Sequence, residues 1–71
     1  MPASDYEIIR WLDSKGGWSV WKSRVSSDAN HETWFAESEA DAPGKYVWVQ
    51  GDAAMARREL ARRLGYPVDA G

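Results

Sequence analysis

Few residues in this chain could perform covalent or acid–base chemistry. A single histidine, His31, stands beside Glu32 in a polar stretch, and there is no cysteine. Catalysis by a nucleophile needs a base within reach of the attacking group. The serines occur in neither a G-x-S-x-G nor an S-x-x-K setting, the two arrangements that activate a serine in the commonest hydrolase folds. The glycine patterns that cradle phosphates, G-x-G-x-x-G and G-x-x-x-x-G-K-S/T, are missing too. The expectation is a protein that is not an enzyme and carries no cofactor. Asp28, Asn30, Glu32 and Glu39 fall at the first, third, fifth and twelfth positions of a calcium-loop pattern. Thr33, however, stands where that loop needs glycine for its sharp turn, and Trp34-Phe35 reads on as strand. A solvated acidic loop and no metal site is the expectation.

Two residue classes remain that could recognise a partner. Arg57, Arg58, Arg62 and Arg63 lie close together near the C-terminus and could neutralise phosphate or an acidic surface. Five tryptophans, three tyrosines and one phenylalanine among 71 residues are more aromatic bulk than a core this small can enclose, so some must face outward. Tryptophan, tyrosine and arginine are also the types that dominate binding hot spots.

The elements that would hold these groups are legible from periodicity. From Ser4 to Gly16, Ser4 and Glu7 form a capping box, Asp5 and Glu7 complement the positive end of a helix dipole, Lys15 falls in the last turn, and Gly16 can close it. Ile8, Ile9, Trp11 and Leu12 gather on one side at helical spacing. The competing reading takes Tyr6–Leu12 as the first arm of a hairpin turning at Gly16-Gly17, giving β-β-β-β-α. Helix is favoured, because a strand would put the adjacent pairs Ile8-Ile9 and Trp11-Leu12 on both faces.

Trp18 to Val25, Glu32 to Glu37 and Lys45 to Gln50 read as strands, separated by the turn cluster 26–30 and by a Pro43-Gly44 turn. Alternation sets Tyr46, Trp48 and Gln50 on one face of the last strand and Val47 with Val49 on the other. Trp18 and Val20 likewise oppose Trp21 and Val25, and Trp34 with Ala36 opposes Phe35. Asp52 caps a final helix that runs to Leu64 and is closed by Gly65, with Pro67 beyond. Its apolar stripe is Ala53, Ala56, Leu60 and Leu64. Arg58 and Arg62 lie one turn apart on its outer face, while Arg57 projects close to the stripe and must snorkel or meet an acceptor in the acidic loop.

The expected fold is therefore α+β, a small three-stranded antiparallel sheet with N- and C-terminal helices in the order α-β-β-β-α. The length suits one domain, 1–71, with loose ends at about 1–4 and 67–71. This order is similar to the layout of double-stranded-RNA-binding domains, in which basic residues at the start of the last helix grip phosphates. Here that helix starts Asp52-Ala53-Ala54-Met55, and no site residue carries across. Residues 26–44 hold five carboxylates and no lysine or arginine, a segment that would repel phosphate.

With no cysteine, no signal-like N-terminus and no long apolar run, a cytoplasmic location without membrane association is expected. The abundance of Ala, Arg, Gly and Asp hints at a bacterial or phage gene. The functional expectation is a protein-interaction module, an accessory or inhibitory protein that binds a protein partner or a second copy of itself through Trp48, Tyr46 and Trp21. The alternative is nucleic-acid binding through Arg58 and Arg62, with an aromatic stacked on an unpaired base.

Overall fold

The first element is a helix because its ends are satisfied locally. In the computed structural model, which describes residues 2–23 and 32–69, α1 spans Asp5–Asp13 with Ser4 as its N-cap, the Ser4 hydroxyl accepting from the Glu7 backbone N–H at 3.2 Å. Asp5 and Glu7 occupy the first turn, where the exposed N–H groups favour negative charge. Ile8 and Leu12, one turn apart, are fully buried. The hairpin alternative for Tyr6–Leu12 does not occur.

Gly16, at φ +113°, reverses the chain, and Gly17 then passes so close to Glu39 that an added Cβ would meet its carboxylate at 2.8 Å. Gly16 takes the left-handed conformation that glycine favours, and a side chain at Gly17 would push the Glu39 carboxylate away from the Gly17 N–H. The Gly17 N–H donates to Glu39 Oε2 at 3.2 Å, and the Glu39 N–H returns to the Gly17 carbonyl at 2.8 Å. This clasp aligns β1 (Trp18–Lys22) with β2 (Thr33–Ser38), and β3 (Val47–Gln50) completes an antiparallel sheet in the order β1-β2-β3. Strand β3 begins at Val47, two residues after the Lys45 that alternation suggested. The turn cluster 26–30, His31 and Val25 lie outside the described residues.

The last helix, α2 (Ala53–Arg63), starts where Asp52 accepts from the Met55 N–H at 2.9 Å. It stops in a Schellman arrangement: Gly65, at φ +103°, donates to the Arg62 carbonyl and the Tyr66 N–H donates to the Ala61 carbonyl. That turn sends the tail back across the helices. Tyr66 stacks on Trp11 with ring centroids 4.9 Å apart, Lys15 sits over the same indole, and Val68 is fully buried. The Ala3 N–H donates to the Val68 carbonyl at 3.0 Å, so Ala3, before α1, and Val68, after α2, meet in the core.

Among the described residues, then, the order is α-β-β-β-α. Helix α2 lies over all three strands and α1 packs on α2, so both helices share one side of the sheet. The core between them holds Ile8, Leu12, Leu60 and Val68 with Ala3, Ala36, Ala56 and Ala61. Trp18, Val20, Trp34, Val47 and Val49 close it from the sheet. The indole N–H groups of Trp18 and Trp34 are satisfied by Asp13 at 2.7 Å and Glu32 at 3.2 Å, which lets both rings lie against apolar neighbours without an orphan donor. No helix among the described residues is long and apolar enough to cross a membrane.

Candidate interaction face

Register decides what the far side of the sheet displays. Trp21 pairs with Phe35, and Phe35 pairs with Trp48, so one aromatic from each strand forms a row across the sheet on the face away from the helices. Direct cross-strand neighbours are close enough to interact, and aromatic pairs are favourable there. Trp21 stacks on Phe35 with centroids 5.6 Å apart, and Tyr46, just before β3, meets the edge of Phe35 at 5.5 Å. None of these four packs against the core cluster. Trp48 is 60% exposed, Tyr46 53% and Trp21 40%, whereas Phe35 is half-buried by its neighbours.

The three aromatics expected to lie at a binding surface are therefore brought together, joined by one that the expectation omitted. Phe35 was placed by alternation opposite Trp34 and Ala36, but its central position depends on register across three strands. Register between strands depends on the connections that join them, and periodicity within a strand does not fix it. Ser19, Thr33, Glu37 and Gln50 flank the row on the same face, which makes Glu37 the one formal charge at these outward sheet positions among the described residues.

The arginine helix is arranged differently. Arg58 is half-buried, not on the outer face of α2, and donates to the Ala3 carbonyl at 2.9 Å and the Val68 carbonyl at 3.3 Å. It ties both end segments to the helix. Arg62 pairs with Glu59 and, at 2.6 Å, with Asp69, and Arg63 takes Asp41 of the acidic loop. It is thus Arg63 that meets a carboxylate of the acidic loop, and the buried Arg57 Nε has no hydrogen-bond partner among the described residues. A buried donor left unpaired costs about 1–3 kcal/mol. Replacing Arg58 with methionine, which keeps the stem and removes both charged hydrogen bonds, is expected to destabilise the domain by about 2–3 kcal/mol. Urea unfolding measures this, and a loss below about 0.5 kcal/mol would mean that the end segments hold without the clamp.

Beside the Gly17–Glu39 clasp an open cleft of about 550 Å³ is lined by Gly17, Trp18, Glu37, Glu39, Asp41 and Lys45 among others. Its carboxylates are largely engaged, Glu39 with the Gly17 N–H and Asp41 with Arg63 and the Ala42 N–H. Among the described residues no three His, Cys, Asp or Glu side chains cluster to hold a metal ion. Of the calcium-loop pattern, Asp28 and Asn30 lie outside the described residues. Glu32 is bonded to Lys22 and Trp34, and Glu39 to Gly17.

Two carboxylates are held below their ordinary values. Glu32 is lowered from 4.5 mainly by the hydrogen bond from Lys22 and then by that from Trp34. Asp41 is lowered from 3.8 mainly by Arg63 and then by the Ala42 N–H. Because the folded values lie below the unfolded ones, both contributions are present in full above about pH 4.5 and vanish as pH falls through the lowered values. The melting temperature is expected to fall on acidification below that point, with a smaller fall in Glu32→Gln. An identical acid limb in wild type and Glu32→Gln would remove Glu32 from the account.

Compared with family models, with curated proteins and with solved structures, the chain matches none of them, so the aromatic row and its surroundings are the ground on which its function is inferred.

Proposed function

We propose that the domain is a protein-interaction module whose docking surface is the outer sheet face, with Trp48 and Tyr46 as anchors and Trp21 and Phe35 completing the row. The observation that carries this reading is the placement of four aromatics on the side of the sheet opposite both helices, outside the core. Exposed apolar groups gathered in one patch cost free energy in water, and on folded domains such patches accompany interaction sites. Aromatic anchors with a polar rim, here Ser19, Thr33, Glu37 and Gln50, match the anatomy of protein interfaces.

Nucleic-acid binding is less well supported. Arg58, Arg62 and Arg63 are each committed to acceptors within the chain, and the outer face carries Glu37 where a phosphate-tracking groove would carry cations. The domain would act without catalysis, as an accessory or inhibitory factor for the protein it binds. A photo-crosslinking side chain introduced at Tyr46, with one at the exposed Met55 of α2 as control, tests the reading in cells. Protein adducts from position 46, absent from position 55 and lost with Trp48→Ala, support it. Adducts from position 55 alone, or nucleic-acid adducts from position 46, would overturn it.

A further inference from the structure

The core of this domain is small for its chain. Among the described residues four large side chains are fully enclosed, Ile8, Leu12, Leu60 and Val68, and the other buried apolar residues are alanines. Chains of this length gain only a few kcal/mol from a single core, and a disulfide, a metal or a second subunit commonly adds to that margin. This one has no cysteine and, among its described residues, no cluster of metal ligands. Meanwhile two of its five tryptophans stand on the outer sheet face, where they contribute nothing to that core.

We infer that a second copy of this chain covers the aromatic row, the two sheets packing face to face to give a four-layer α-β-β-α assembly. The inference rests on the docking surface proposed above and names its occupant. The molecule is a slab, 34 × 30 × 15 Å between Cα extents, with a sheet as one broad surface. Sheets pack about 10 Å apart with side chains interleaved, and a row of rings with polar flanks suits that spacing.

Charge permits the pairing. In a two-fold interface each patch meets itself, so a charge on the axis would face its own copy. With the axis lying between the sheets and crossing the strands at Phe35, the central ring, Glu37 stands two residues away, about 6.6 Å along the strand. The two carboxylates are then about 13 Å apart, beyond the screening length of about 8 Å at physiological salt. Area sets the strength. The exposed parts of Trp21, Tyr46 and Trp48, at 40, 53 and 60%, amount to roughly 230–380 Å² per copy. A standard interface buries about 800 Å² per partner. The flanking Ser19, Thr33, Glu37 and Gln50 must supply the remainder, so the dimer lies at the weak end and dissociates on dilution through roughly micromolar concentrations.

Sedimentation equilibrium of the full chain from about 1 μM to 1 mM, spanning that range, tests this. The expected result is a reversible rise from 8.0 kDa to twice that mass. Trp48→Ala and Trp21→Ser should each weaken association at least tenfold while melting as folded domains. A single monomer at every concentration overturns the second copy but leaves the docking surface standing if position 46 crosslinks another protein. A dimer indifferent to both substitutions also overturns it, because association would use another surface. Unfolding of both variants would assign the row to the core and remove the docking surface with the dimer.

Discussion

Leu60→Ala is expected to cost about 2–5 kcal/mol and to leave little of the folded state in mild urea. Leu60 is 1% exposed on the face of α2 turned to the core, and α2 lies against all three strands and against α1, so one cavity would loosen every layer contact. Half of the buried cluster it belongs to is alanine, Ala3, Ala36, Ala56 and Ala61, whose side chains are too short to follow into the cavity. A domain of this length has a total stability of about 4–11 kcal/mol, so the substitution removes a large part of it. With an m-value near 1 kcal/mol per molar urea, the unfolding midpoint should fall by about 2 M or more. A loss below about 1 kcal/mol would mean that α2 is not the element on which the fold is built.

The second large effect comes from comparing two tryptophans. Trp34→Ala is expected to destabilise by about 3 kcal/mol, because its ring closes the core under Val49 of β3 and its N–H is held by Glu32. Trp48→Ala is expected to cost no more than about 1 kcal/mol, the scale of a cross-strand aromatic contact, since most of its ring lies in solvent. In binding the order reverses: Trp48→Ala removes an anchor and should weaken association at least tenfold. Urea unfolding of the two variants below the association range separates these roles. Equal losses would show the sheet to be buried on both faces.

Local signals made most of the architecture legible. Ser4, Asp52, Gly16 and Gly65 mark helix ends through hydrogen bonds that they make within a few residues, and alternation from Tyr46 to Gln50 separates the inward valines from the outward rings. What could not be read from the chain depended on distant partners. Arg58 has the spacing of a surface residue but belongs to the clamp on Ala3 and Val68, 55 and 10 residues away. Arg63, instead of Arg57, meets the acidic loop because the distance from α2 to Asp41 is a tertiary quantity. The contact of Tyr66 with Trp11 and the burial of Val68 follow from the Schellman turn, whose direction in space the local sequence does not show. Of the candidate site, Trp21, Tyr46 and Trp48 were identifiable as outward aromatics by period-two spacing. Their assembly around Phe35 required the register of all three strands.

The central claim is that the outer aromatic row is surface in the single chain. Fluorine NMR of the protein labelled with 5-fluorotryptophan, diluted until sedimentation gives the monomer mass and exposed to a soluble paramagnetic chelate, tests this ring by ring. The account predicts strong broadening of Trp48 and Trp21, with Trp18 and Trp34 protected. Protection of Trp48 equal to that of Trp34 in the monomer would contradict it, because the row would then be core and no docking surface would remain.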